Sequence, residues 1–89
     1  MNFEWDKEKD KLNIKKHNIT FAEASTVFSD PLSWTFPDPD HSLNEHRYII
    51  IGYSHFNKLL VISHTERNKN IRIISTRKAT KHERKYYEK

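Results

Sequence analysis

RYIIIGYSHFNKLLVISHTERNKNIRIIST, residues 47–76, decides the fold. It holds three runs rich in β-branched, leucine and aromatic side chains: Arg47 to Ser54, Lys58 to Glu66 and Ile71 to Thr76. Two short polar stretches separate them, His55-Phe56-Asn57 and Arg67 to Asn70. Connections this short close hairpins, so the three runs predict an antiparallel meander. Successive side chains of a strand point to opposite faces. On the second run, Leu60, Ile62, His64 and Glu66 share one face, and Leu59, Val61, Ser63 and Thr65 the other. On the third, Ile71, Ile73, Ser75 and Arg77 share a face, with Arg72, Ile74 and Thr76 opposite.

Upstream, Phe3-Glu4-Trp5 alternates as a short strand does. Asp6 can cap a helix running to about His17, because its side-chain oxygen accepts from the first free N–H groups. Leu12 is the apolar residue of that helix, with Trp5 and Ile14 adding to its buried side. Asn18, which tolerates the left-handed conformation, ends it. Thr20 and Glu23 have capping-box spacing, and Phe21, Ala24, Val27 and Phe28 recur at helical intervals. They predict a second helix from Phe21 to about Phe28, stopped by Asp30-Pro31. Leu32 to Pro37 reads as an extended connection and Pro37-Asp38-Pro39-Asp40 as a rigid polar loop. Thr80 caps a last helix, Lys81 to about Glu88, with Glu83 at the capping-box position. The predicted order is β-α-α-β-β-β-α, an α+β fold in which two N-terminal helices pack on an antiparallel meander and a C-terminal helix follows.

The 89 residues make one domain, 1–89, with a thin core. The chain has no cysteine, which excludes disulfides, thiolate metal sites and cysteine nucleophiles and fits a cytoplasmic setting. Met1 to Asp10 is charged and lacks the apolar stretch of a signal peptide, and no run approaches the length of a membrane span. The formal net charge is +4, unevenly spread. Met1 to Ser63 carries seven Lys+Arg against nine Asp+Glu, while His64 to Lys89 carries nine against three. The surplus of cations in the C-terminal third points to a polyanion or an acidic protein as partner, or to a solvated helix face.

Polar groups collect at the strand ends: His64, Glu66 and Arg67, with Arg72 and Arg77 nearby. RNA can be cleaved by a base that takes the 2′-hydroxyl proton, an acid that protonates the leaving oxygen, and cations on the phosphate. His64 or Glu66 fits the base, and Arg67, Arg72 and Arg77 fit a phosphate clamp. Lys78, Lys81 and Arg84 fit contacts along the RNA backbone, and Tyr86, Tyr87 and Trp34 fit base stacking. Each has a plainer reading. His64 can be a hydrogen-bonding strand residue, Glu66 and Arg67 an exposed turn pair, and Arg72 the partner of a neighbouring carboxylate. Lys78, Lys81, Arg84 and Lys85 can be a solvated face, and Tyr86 or Tyr87 core. Trp34 can anchor a protein interface. The six histidines lack the paired spacing of zinc motifs, and a loop with His41, His46, Asp38, Asp40 and Glu45 offers at most an adventitious cation site.

An ordered set of residues takes the reading further. Phe3-Glu4-Trp5-Asp6 is followed by Asn13, Lys16-His17, Phe21-x-Glu23-Ala24 and Val27-Phe28-x-Asp30-Pro31. Arg47, Gly52, Leu60-Val61 and Thr65-x-Arg67 come next. Arg72-Ile73-Ile74-Ser75-x-Arg77-x-Ala79 and Glu83-Arg84-x-Tyr86 close the set. Together, from about residue 3 to 87, they resemble the BrnT family of toxins. The departures are slight: Asn18 stands where the family usually has glycine, and Thr76 where it has alanine. The resemblance implies a fold similar to RelE-like ribonuclease toxins and metal-independent RNA cleavage that arrests growth, with no cofactor. It also implies neutralisation by a BrnA-type antitoxin, in a heterotetramer of two toxins and two antitoxins whose antitoxin part binds operator DNA. RNA would lie on the sheet face away from the helices, near His64, Glu66, Arg67, Arg72, Arg77 and Arg84. A degenerate toxin that binds antitoxin without cleaving RNA is the alternative.

Overall fold

The computed structural model describes residues 1–40 and 46–88. Its elements are β1 (Asn2–Glu4), α1 (Lys7–His17), α2 (Phe21–Thr26), β2 (Trp34–Pro37), β3 (Arg47–Tyr53), β4 (Leu59–Arg67), β5 (Asn70–Lys78) and α3 (Lys81–Tyr87), with a 3₁₀ turn, Val27–Ser29, after α2. The strands form one sheet in the order β1-β5-β4-β3-β2. The predicted meander is β3-β4-β5, antiparallel throughout.

Two strands complete the sheet beyond that expectation. Leu32 to Pro37 is more than an extended connection, since Trp34–Pro37 pairs antiparallel with β3 as an edge strand. Pro37 is tolerated there because an edge strand needs hydrogen bonds on one side only. β1 lies at the opposite edge and runs parallel to β5, so the sheet is mixed, and the observed order contains one strand more than predicted.

The caps follow local chemistry. Asp6 Oδ1 accepts from the Glu8 N–H at 2.8 Å, and Asn18 ends α1 at a φ of 58°. Thr80 and Glu83 form a complete capping box on α3. At α2 only half of the expected box forms: Thr20 Oγ1 accepts from the Glu23 N–H, but the buried Glu23 carboxylate turns to the Ser54 hydroxyl at 2.8 Å. A tertiary partner outcompetes the local one. The last residues assigned to the second helix tighten into the 3₁₀ turn ahead of Asp30-Pro31.

One face of the sheet carries the main core. Ile50, Leu60, Ile62 and Ile73 pack against Ile19, Phe21, Ala24 and Val27, with Phe3, Trp5 and Phe28 at the margin. Each such buried aliphatic side chain contributes about 1.5–3 kcal/mol. A second cluster, Ile51, Leu59 and Val61, lies on the opposite face under α3 and takes in Tyr53 and Tyr87.

α1 attaches differently from the expectation. Leu12 is 64% exposed, and the buried residue of the helix is Asn13. Its carboxamide accepts from the Thr76 N–H at 3.1 Å and donates to the Ile19 carbonyl at 3.1 Å. β1 pairs with β5 only from Asn70 to Arg72, so Asn13 supplies a partner to the stretch of β5 that β1 leaves uncovered. We expect Asn13→Ala to leave two buried backbone groups unpaired and to cost about 1–3 kcal/mol in urea denaturation.

The one glycine marks a close approach. A Cβ on Gly52 would meet Asp30 Oδ2, Ser33 Cβ and Val27 Cγ1, each at 3.0 Å. Gly52→Ala should therefore lower stability by about 1–3 kcal/mol, measured as a fall in thermal midpoint, because three neighbours must shift together.

Candidate functional site

β5 carries the irregularity that builds the site. Ser63 pairs with Ser75, but His64 pairs with Ile73, so Ile74 is an extra residue on β5. Such a bulge reverses the alternation beyond it. Ile71 and Ile73 face the helices and so does Thr76, which sits opposite Ile62. Arg72, Ser75 and Arg77, opposite Thr65, Ser63 and Val61, face the other way. The uninterrupted alternation expected for this strand is thus corrected.

The same registry separates residues expected to meet at one phosphate. His64 lies on the helix side, 3% exposed, with its ring 4.9 Å from that of Phe28 and 5.8 Å from that of Tyr48. Its Nδ1 has no hydrogen-bond partner among the described residues. Glu66 shares that side of β4, opposite Ile71, at the exposed end of the strand. The sheet itself stands between these two residues and the face that presents Arg72 and Arg77. Arg67 opens the β4–β5 turn, where Asn68 and Lys69 both take left-handed backbone angles. Arg72 pairs with Glu4 at 2.9 Å, and Asn70 donates to the other Glu4 oxygen, which holds the Glu4 carboxyl below its usual range.

Arg77 is held more firmly. Its Nη1 and Nη2 donate to the two oxygens of Glu83 at 2.7 and 2.9 Å, and Nη1 also reaches the Lys78 carbonyl at 3.3 Å. Glu83 in turn accepts from the Thr80 N–H that begins α3. The Arg77 guanidinium is the main cause that pulls the Glu83 pKa down to about 2, against the effect of burial. The pair fixes the plane of the guanidinium and leaves it donors to spare, since arginine has five N–H bonds.

Beside Arg77 the chain folds into a cationic cleft. Lys16 and His17 at the end of α1, Lys78 at the end of β5 and Thr80 at the start of α3 line it with Arg77. Of the expected RNA contacts, Lys78 belongs to this cleft, whereas Lys81 and Arg84 lie on α3, the latter paired with Glu88 at 3.4 Å. Sequence reasoning placed no role on Lys16 or His17. They are 61 and 60 residues from Arg77 along the chain, and the packing of α1 against β5 joins them.

Along α3 runs a groove of different character. Ile49, Ile51 and Val61 form its floor on the open face of the sheet, and Trp34, Phe36 and Tyr86 rise beside them. Trp34 is 63% exposed and Tyr86 57%, with the Tyr86 ring 4.9 Å from that of His82. α3 is pinned over this face by Tyr87, whose hydroxyl donates to Asp30 Oδ2 at 2.7 Å, and by a bond from the Tyr53 hydroxyl to Glu88. Burial raises the Asp30 pKa, but bonds from the Tyr53 N–H, the Tyr87 hydroxyl and the Leu32 N–H outweigh it and hold the carboxyl below its usual value.

Among the described residues there is no cluster of three or more metal-ligating side chains and no helix long and apolar enough to cross a membrane. His41 and Glu45 of the loop considered for a cation lie outside the described residues.

The fold and its charges define a class: a small α+β domain with cations gathered where α1, β5 and α3 meet. The family described as "Ribonuclease toxin, BrnT, of type II toxin-antitoxin system" matches residues 5–83, and the chain belongs to it. The crystal structure of the Brucella abortus ribonuclease toxin, BrnT, is similar, with a TM-score of 0.71 and 24% identity over 91% of this chain and 99% of that one. At that identity the likeness is one of fold. No curated protein matches the sequence.

His64 makes stability depend on acid. Burial, the largest influence, pushes its pKa below 6.5, while the Ile62 backbone and the Glu66 carboxylate act the other way. A folded-state pKa below the unfolded one means that the unfolded chain binds the proton more readily. The stability is complete above pH 6.5 and is lost as pH falls through and below that value. Urea midpoints recorded from pH 8 to 5 should fall for the parent and fall less for His64→Gln.

Proposed function

We propose that this protein is the toxin of its pair, a metal-independent endoribonuclease whose reaction takes place in the cleft of Lys16, His17, Arg77, Lys78 and Thr80. The observation that carries the reading is the convergence of these side chains from three elements in a chain of a ribonuclease toxin family. Arg77, Lys16 and Lys78 suit the phosphate oxygens, where a guanidinium fork and ammonium groups stabilise developing negative charge. This is the charge stabilisation that a metal supplies elsewhere. His17 is the histidine beside these cations, so it suits proton transfer better than His64, which is enclosed on the far side of the sheet.

In the proposed reaction the RNA 2′-oxygen attacks its neighbouring phosphorus and the 5′-oxygen bond breaks. The 2′-hydroxyl proton passes to a base and the leaving oxygen gains a proton. The products are a 2′,3′-cyclic phosphate and a 5′-hydroxyl. Contacts of the RNA backbone with Arg72, Lys81 and Arg84 outside the cleft belong to the same proposal, with Arg72 and Arg84 exchanging their partners Glu4 and Glu88 for phosphate. Growth arrest and neutralisation by a BrnA-type antitoxin, in a two-plus-two complex that binds operator DNA, belong to the same reading.

The test is cleavage of single-stranded RNA by the purified chain, with and without EDTA, followed by mapping of the ends. Cyclic-phosphate ends that persist in EDTA are expected. Arg77→Ala and His17→Ala should each slow cleavage by about 10²-fold or more, with thermal midpoints near the parent's. Parent-like rates for both variants would sink the site assignment.

A further inference from the structure

We infer that the groove between α3 and the open face of the sheet seats a segment of the antitoxin, an acidic peptide that inserts a bulky apolar side chain. This inference rests on the reading of the chain as a toxin. Of the exposed aromatic residues Trp34, Phe36, Phe56 and Tyr86, all but Phe56 line the groove. Trp34 and Tyr86 are more than half exposed, Phe36 is 43% exposed, and Leu32 beside them is 78% exposed. Grouped aromatic exposure of this kind, on a chain otherwise as polar as this one, marks a contact surface. A pocket walled by tryptophan and tyrosine is the usual seat of an interface anchor.

The chemistry of the lining favours a peptide over RNA. Beside the apolar and aromatic residues it holds His82 and Glu83, and Glu83 is a carboxylate held ionised by Arg77. No lysine or arginine lines the groove to hold a phosphate, and the Arg77 guanidinium nearest to it is already engaged by Glu83. The cations lie outside the lining, in Lys16, Lys78 and Arg77 of the cleft at the start of α3, with Lys81, Arg84 and Lys85 on the helix itself. Charge complementarity then specifies the partner. Its apolar residue belongs in the groove, and its acidic residues belong beside it, over α3 and toward the cleft. Arg77 of the cleft bonds Glu83 of the groove lining, so the two surfaces adjoin and a short peptide anchored in the groove reaches both. Occupied in this way, the groove would bring carboxylates to the cations proposed to hold RNA. Neutralisation would then be competition for one set of positive charges.

The experiment uses the full chain and the antitoxin encoded with it, together with synthetic peptides tiling that antitoxin. Leu32→Ser and Phe36→Ser alter the exposed wall of the groove and leave the cleft intact. Each should weaken antitoxin binding by at least tenfold in calorimetry, with RNA cleavage and thermal midpoint unchanged. The peptide that competes should be acidic and contain a bulky apolar residue. Binding within twofold of the parent for both variants would overturn the inference. So would loss of RNA cleavage with antitoxin affinity retained, since the groove would then be a substrate surface. If the parent chain cleaves no RNA, the reading of its activity fails, while the binding measurements still decide the groove.

Discussion

The extra residue at Ile74 is the constraint on which the rest of the molecule depends. Without it, β5 could not give Ile71 and Ile73 to the core and also send Arg72 and Arg77 to the opposite face. A regular strand would place Arg77 on the side of Ile73, toward the helices and the main core, where an unpaired guanidinium is costly to bury. The bulge resolves that conflict in one step, and Thr76 takes the vacated inward position. Its N–H then meets Asn13, which fastens α1 to β5 and brings Lys16 and His17 toward Arg77. Core and cationic cleft are two results of one break in alternation.

A second set of contacts holds α3 in place, and it is polar. Asp30 accepts from the Tyr53 N–H, the Leu32 N–H and the Tyr87 hydroxyl, so one carboxylate ties the end of the helical layer to β3 and to α3. Gly52 permits this, since a side chain there would press on that same carboxylate. No described residue of α3 is buried, and the helix relies on Asp30, on its complete capping box and on the Arg77–Glu83 pair. Ion pairs at partly exposed positions stabilise little by themselves. The value of Arg77–Glu83 lies in orientation. It sets the guanidinium at the border of the cleft and places Glu83 at the border of the groove.

Two surfaces of opposite character therefore adjoin at α3, the cleft at its start and the groove along it, and the Arg77–Glu83 pair links them. One is cationic and suits a phosphodiester, and the other is aromatic and suits a protein anchor. A toxin that must be silenced needs a surface its antitoxin can grip without relying on the substrate site alone. Electrostatics gives fast encounter and an apolar pocket gives long residence, and the two are supplied here by different residues.

Taken alone, the sequence determined the local features. The hairpin turns, the caps at Asp6 and Thr80, the left-handed end at Asn18 and the alternation along β3 and β4 arise from neighbours in the chain, so they were legible there. The ordered set of family residues was legible for the same reason. Only the tertiary structure decided the rest. Asn13 replaced Leu12 as the buried residue of α1 because an unpaired N–H of β5 costs more than an exposed leucine. Glu23 left its capping partner for Ser54, and Trp34–Pro37 became a strand because β3 offered it a free edge. The candidate site depended most on long-range packing. His64 and Arg77 were expected near one another among the polar groups at the strand ends, yet the bulge put the sheet between them. His17 and Arg77 meet because α1 packs on β5, a contact that no local pattern encodes.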